Sequence, residues 1–182
     1  MIVLRAGALL TVRDMAYISI SIATISVGAC ISVPAAVPFT MQTFAIFLCS
    51  SVLGSKRGLI AVACYALLGA LGLPVFAGMN AGFGVLVGPT GGYITGFLPA
   101  AAIAGWRSAQ PHKILVDITQ MIIALTVCYV FGTVWYTVGY LGDLSGVGTA
   151  LMACVVPYII PDLLKILLAA TIAPRLRRAL NR

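Results

Sequence analysis

The chain has 182 residues, 62% of them hydrophobic and 8% charged, with a mean hydropathy of +1.12 and a net charge of +7. A soluble domain carries about 25% charged residues, so this composition cannot cover a water-facing surface. It excludes a soluble domain and predicts an all-α, polytopic membrane protein of one domain, 1–182, with room for about six spans of ~20 residues.

The first apolar run, Ile2 to Val12, is short and broken by Arg5, and it has no small-residue cleavage site, so no cleavable signal is expected. Six spans follow in chain order. The first is 15–33, ended by Pro34 and Pro38, and the second is 39–53, ended by GSKRG. The third is 59–73, ended by Pro74, and the fourth is 89–106, ended by RSAQPHK. The fifth is 114–140 and the sixth is 149–173, ended by Pro174 and a basic tail. The basic residues test this order. Arg5, Arg13, Lys56, Arg57, Arg107, Lys113, Arg175, Arg177, Arg178 and Arg182 all fall on one side of a six-span chain. The three loops of the other side carry no Lys or Arg. This positive-inside bias predicts cytoplasmic termini. The net charge then reports topology and attraction to anionic lipid, with no need of a nucleic acid partner.

Lys165 is the exception, inside the sixth span in IIPDLLKILLAA. It lies about 13 Å of helix from Pro174, too far for its stem to reach the cytoplasmic surface. Asp162, three residues earlier, shares its helix face. Two readings are open: a structural pair that cancels its own charge, or a binding site in the bundle interior, where intramembrane ionisable groups usually act. Pro157 and Pro161 support the second, because proline frees carbonyls that need protein or a cavity. The remaining acids read as local surface groups. Asp14 adjoins Arg13, Asp117 stands four residues after Lys113 and can pair with it, and Asp143 is in an outer loop. His112 reads as a solvated loop residue, and nothing near it completes a metal site. Cys30, Cys49, Cys64, Cys128 and Cys154 contain no CxxC spacing and read as small buried apolar residues.

Between the third and fourth spans lies an apolar, glycine-rich outer loop, 74–88, with Phe76, Met79, Phe83, Val85, Leu86 and Val87. Such a loop is predicted to fold back over the bundle as a lid, burying those side chains, and its glycines permit the turns and the close approach this needs. Asn80 is its one side-chain amide, either a ligand contact or a solvated turn residue. Beyond it, Gly88, Gly92, Gly96, Ala100 and Ala104 recur every four residues, a stripe for close helix packing. GPTGGY lacks the GK[ST] ending of a phosphate loop. The helix start at Thr90 and Gly91 offers backbone N–H groups on the outer side.

VPFTMQTFAIFL (37–48), LLGALGLPVFAG (67–78), GPTGGYITGF (88–97) and PDLLK (161–165) together resemble the BioY family, biotin-binding S components of energy-coupling factor vitamin transporters. The resemblance runs from about residue 14 to 173, in family order and spacing. It implies a six-helix bundle with cytoplasmic termini and a biotin pocket on the outer side. It places Asp162 and Lys165 in that pocket, with Asn80 and Tyr93 near the substrate and Gln42 in a family-like motif. Biotin offers two ureido N–H donors, a carbonyl, an apolar sulfur ring and a carboxylate. Asp162 suits the donors and Asn80 the carbonyl or the remaining donor, while Tyr93, Phe76 and Phe83 suit the rings. The carboxylate is left to Lys165, to backbone N–H groups such as that of Gly91, or to water. The resemblance further implies docking on a transmembrane coupling subunit with two ATP-binding subunits. The family's A-x-x-x-A docking motif reads here as Ser19 and Ala23, so the small-xxx-small spacing is kept with one alanine replaced. No Walker motif, cofactor site or catalytic set is found, so no enzyme is expected. A self-sufficient secondary carrier using Asp162 is the alternative, distinguished by whether uptake needs ATP and the module; an intramembrane enzyme ranks last, with no second deep carboxylate.

Overall fold

The computed structural model describes residues 10–35, 37–106, 114–142 and 146–180. Arg5, Arg107, His112, Lys113, Asp143 and Arg182 lie outside the described residues. The fold is an all-α bundle with one two-residue antiparallel strand pair. The helices are α1 (Val12–Cys30), α2 (Gln42–Leu53), α3 (Ser55–Ala70), α4 (Phe83–Val87), α5 (Gly91–Ala104), α6 (Ile114–Val134), α7 (Val147–Cys154) and α8 (Ile159–Leu180). Strand β1 (Ser32–Val33) pairs with β2 (Phe39–Thr40), Ser32 opposite Thr40 and Val33 opposite Phe39.

Local chemistry sets several boundaries. Thr11 and Asp14 form a reciprocal capping box that starts α1. The Asp14 carboxyl is held below its usual range by the Thr11 backbone N–H first, then the Thr11 hydroxyl, with Arg57 beside it at 2.6 Å. The second helix starts at Gln42, not Phe39, because Phe39 and Thr40 are used in the strand pair. The expected sixth span is broken: α7 ends at Cys154, Val156–Tyr158 forms a 3₁₀ turn containing Pro157, and α8 follows. Pro161 therefore stands in the first turn of α8, where its missing N–H would have had no helical partner. It bends nothing. Pro174 does not end α8, which runs on to Leu180. Three residues later Arg177 bonds Asp117 and Ser51, contacts that hold the last turns helical. Helix α6 continues as a wider π-helical stretch, Trp135–Leu141.

Short α2 is the central helix and touches α1, α3, α5, α6 and α8. Helix α5 packs on α6 through the small-residue stripe. A Cβ at Gly92 would run into the Trp135 side chain and the Phe131 carbonyl, and one at Gly96 would press on Phe131 and Cys128. Ala100 and Ala104 are also buried. The outside of the bundle is apolar: Ile20, Val27, Leu67, Phe131, Leu164 and Leu168 are all exposed. Cys30 is exposed as well, unlike the buried position expected for it. Two helical stretches, Ile114–Tyr140 and Val147–Leu180, are long and apolar enough to cross a membrane, and α2 and α5 are shorter apolar helices.

Polar contacts gather at one end. Arg13 donates to the Leu180 carbonyl at 2.6 Å, and Ser55 Oγ to the Ala102 carbonyl. Asp117 pairs at 2.8 Å with Arg177, sixty residues away in α8, and the pairing with Lys113 expected for it falls on a residue outside the described ones. Arg177 also donates to the Ser51 carbonyl at 2.8 Å and to Ser51 Oγ, so it joins α8, α6 and α2. Asp117 is 2% exposed, so its charge needs partners inside the bundle.

Candidate functional site: a charged pair beneath an aromatic cavity

A cavity opens at the other end, with about 790 Å³ of space between its walls, part of it open to the outside. Its position follows from helix lengths. Helix α2 begins at Gln42, after the strand pair, and α5 at Gly91, after the loop that holds short α4. The strand pair and its connecting loop form one wall through Val37, Pro38, Phe39 and Thr40. The 74–88 loop forms another through Phe76, Ala77, Asn80 and Val85.

The base of the cavity is ionic. Lys165 Nζ lies 2.7 Å from Asp162 Oδ1, and both residues are 4% exposed. Lys165 also donates to the Thr40 carbonyl at 2.6 Å and to Thr43 Oγ1 at 3.3 Å. The Phe39 ring centroid sits 3.8 Å from the ammonium. Asp162 Oδ1 accepts from Thr43 Oγ1 at 3.3 Å, and Oδ2 accepts from the Tyr129 hydroxyl at 2.6 Å. Two buried charges are tolerated here because each is paired and further hydrogen-bonded.

The walls are aromatic and apolar. Phe39 and Tyr158 stack at 6.2 Å with 7° between planes, and the Tyr158 hydroxyl donates to the Val37 carbonyl at 2.7 Å. Tyr93 and Phe97 of α5 face the cavity, beside Cys128 and Cys154. Phe76 is 1% exposed and meets Tyr65 edge-on at 5.6 Å. It fits against Gly69, where a Cβ would occupy the ring's place.

Asp162, Lys165, Asn80, Tyr93, Gln42 and Phe76 are thus brought to one cavity. Their local roles differ. Gln42 is turned to Tyr65, donating to its hydroxyl at 2.9 Å, and Tyr65 in turn donates to the Val75 carbonyl. Asn80 is exposed at the mouth and donates to the Ala77 carbonyl at 2.8 Å. Phe83 and Gly91 are not among the lining residues. Phe83 is 66% exposed on α4, and Gly91 sits where a Cβ would strike the Leu86 carbonyl. The loop covers the cavity in part. Phe76 is buried and Val85 and Leu86 are half-buried, but Met79, Phe83 and Val87 point outward. A chain reversal at Gly78 and Met79, both with positive φ, turns the loop so that these two sets separate.

Sequence reasoning missed Tyr129, Thr43, Phe39 and Tyr158. Thr43 sits one residue from Gln42 in the quoted motif, and its spacing gave the available signal. Tyr129 offered none beyond being a phenol in an apolar helix. Ser19 and Ala23 stand exposed on the outer face of α1, away from the cavity.

The BioY family matches over residues 4–182. The chain is 41% identical over 167 residues to the biotin transporter BioY of Thermotoga maritima, covering 91% of this chain and 96% of that one. It is 37% identical over 166 residues to the probable biotin transporter BioY of Pyrococcus horikoshii, again covering 91% and 96%. The fold is similar to the crystal structure of the S-component for biotin from an ECF-type ABC transporter, with TM-score 0.80, 23% identity and 92% of each chain covered.

Proposed function

The chain belongs to the BioY family, and on that premise we propose that it is the biotin-binding subunit of a vitamin uptake transporter. The observation that carries this is the buried Asp162–Lys165 pair, braced by Tyr129 and Thr43, at the base of an otherwise aromatic and apolar cavity. Asp162 accepts from the ureido N–H groups. Asn80 serves the ureido carbonyl at the mouth, and Tyr93, Phe76 and Tyr158 cover the fused rings.

The chain is one membrane domain of six crossings: α1, α2, α3, α5, α6 and the broken α7–α8. At ~1.5 Å per residue, α2 and α5 are about 18 and 21 Å long, short of a ~30 Å hydrocarbon layer. The remaining depth is taken up by the strand pair, the lid and the cavity, where non-helical backbone is tolerated because it lines a site. The polar end with Arg13, Lys56, Arg57 and Arg177 faces the cytoplasm, with both termini, and the cavity faces outward. The cell membrane is therefore its location. Ser19 and Ala23 on the exposed face of α1 receive a coupling subunit, which brings two ATP-binding subunits. The chain itself binds and delivers.

Calorimetry on the purified chain tests the reading. Biotin should bind, and Asp162→Leu with Lys165→Met should stay folded in detergent while losing binding, since removing both buried ions leaves no stranded charge. A folded parent giving no heat with biotin would reject the assignment. A double variant that kept the parent's affinity would make the pair structural.

A further inference from the structure

We infer that the polar end of the bundle carries a binding site for one anionic phospholipid, its phosphate at Lys56 and Arg13 beside Trp106 and an acyl chain along the outer face of α3. The site takes the polar end to meet a headgroup layer and is independent of what the outward cavity binds. The chain has four acidic residues. Two of them stand at this end, where Asp14 pairs with Arg57 at 2.6 Å and Asp117 with Arg177 at 2.8 Å. Lys56 is exposed and has no carboxylate partner among the described residues. Arg13 is exposed too, and among those residues its guanidinium bonds neutral oxygens, the Tyr17 hydroxyl at 2.7 Å and the Leu180 carbonyl at 2.6 Å. Lys56 and Arg13 adjoin the two partners of the Arg57–Asp14 bond, so α1 and α3 bring two unmet positive charges to one corner. Lys56 and Arg57 also stand in the first turn of α3, which holds no acidic residue, at the end of a helix where cations are disfavoured. An anion from outside the chain relieves this excess.

The surroundings of this corner select a lipid over a free anion. The Ser55 N–H donates to the Gly105 carbonyl at 3.1 Å, so the end of α5 lies against the start of α3. One residue beyond this contact on each side stand Lys56 and Trp106, the latter 76% exposed. An exposed indole near a cation is the amphipathic combination found at the headgroup level of a membrane. From Lys56 one face of α3 leads away from the polar end through Ile60, Ala63 and Cys64 to Leu67, the spacing of a single helix stripe. The three in the middle are half-buried and Leu67 is exposed, so this face is open and wholly apolar. Leu67 stands about 16 Å along the helix from Lys56, close to half of a ~30 Å hydrocarbon layer. The small side chains of Ala63 and Cys64 midway leave room for an acyl chain to lie against the helix. Cations, indole and apolar face thus follow one another in the order of phosphate, glycerol and chain. A free phosphate would leave the last two uncovered.

The test is native mass spectrometry on the purified full chain in detergent, titrated with phosphatidylglycerol or with phosphatidylcholine of the same acyl chains. One phosphatidylglycerol per chain should be retained at roughly tenfold lower lipid concentration, the span expected from one or two surface cations. Lys56→Gln should weaken that retention about fivefold and leave phosphatidylcholine as it was. Arg175→Gln, which removes the same charge from an exposed position on α8, should leave both lipids as they were. Equal retention of the two lipids by the parent would overturn the inference. So would an equal loss in the two variants, since net charge and not a site would then hold the lipid. Displacement of phosphatidylglycerol by free glycerol phosphate would reveal an anion site that ignores the acyl chain, and the lipid assignment would fall with it. Thermal midpoints report whether each variant is folded. Should Lys56→Gln not fold, the two-lipid comparison and the glycerol phosphate competition on the parent decide. Biotin enters no arm of the experiment, so its outcome is separate from that of the biotin reading.

Discussion

Asp162 is held by Tyr129, Thr43 and Lys165. Tyr129 donates a 2.6 Å bond to Oδ2 from α6, and Thr43 and Lys165 occupy Oδ1. Tyr129→Phe keeps the ring and removes one donor to a buried carboxylate. It should weaken biotin by about 1–3 kcal/mol, the cost of leaving a charged acceptor short of a partner, with the thermal midpoint in detergent lowered and the fold kept. Unchanged affinity in calorimetry would mean that Tyr129 merely packs. At this scale the sequence made the charged pair legible and left its support hidden. A carboxylate and an ammonium three residues apart in an apolar helix are costly enough to stand out. A tyrosine in an apolar helix costs far less than an ion and does not stand out, so Tyr129 acquires meaning only when α6 lies against α8. Gln42 shows the reverse: its motif drew attention, and its amide is spent on Tyr65.

Helix positions followed the apolar runs, while helix breaks followed from contacts. Pro157 sits in the 3₁₀ turn that separates α7 from α8, so Tyr158 reaches Val37 and Phe39 instead of continuing a helix face. Pro174, by contrast, lies within α8, where Arg177 is anchored one turn on. The same residue type breaks one helix and not another because tertiary bonds differ. The small-residue stripe was legible because close approach has a simple requirement, no side chain every fourth residue. Gly92→Leu should drive a side chain into Trp135 and the Phe131 carbonyl. A cost of about 1–3 kcal/mol or more is expected for such overpacking, read as a lower midpoint in a detergent thermal-shift assay, with biotin affinity lost as Tyr93 and Phe97 shift. A variant as stable as the parent would mean that α5 and α6 do not meet along this stripe.

Across the whole molecule, α2, α6 and α8 are joined twice, at opposite ends. Asp162, Lys165, Thr43 and Tyr129 join them beneath the cavity, and Asp117, Arg177 and Ser51 join them at the polar end. A topology test follows from this polarity. Single cysteines beside Lys56 and Arg178 should label from the cytoplasm only, and one placed at Asp143 from outside only. Labelling of the Arg178 and Asp143 positions from the same side would break the six-crossing reading. The amino-acid sequence by itself determined the solvent, the count of apolar runs and the segregation of charge, because each is a sum over residues that needs no partner. It also marked where a buried charge pair had to lie, because an ion in an apolar run is costly whatever surrounds it. Only the tertiary structure decided that Asp117 pairs with Arg177 and that Phe83 faces outward while Phe76 faces in. It likewise decided that Lys165 directs its N–H bonds at Thr40, Thr43 and Asp162 beneath the Phe39 ring. Each of these depends on which distant segment arrives at a given distance and angle, and residue type and local spacing leave that open.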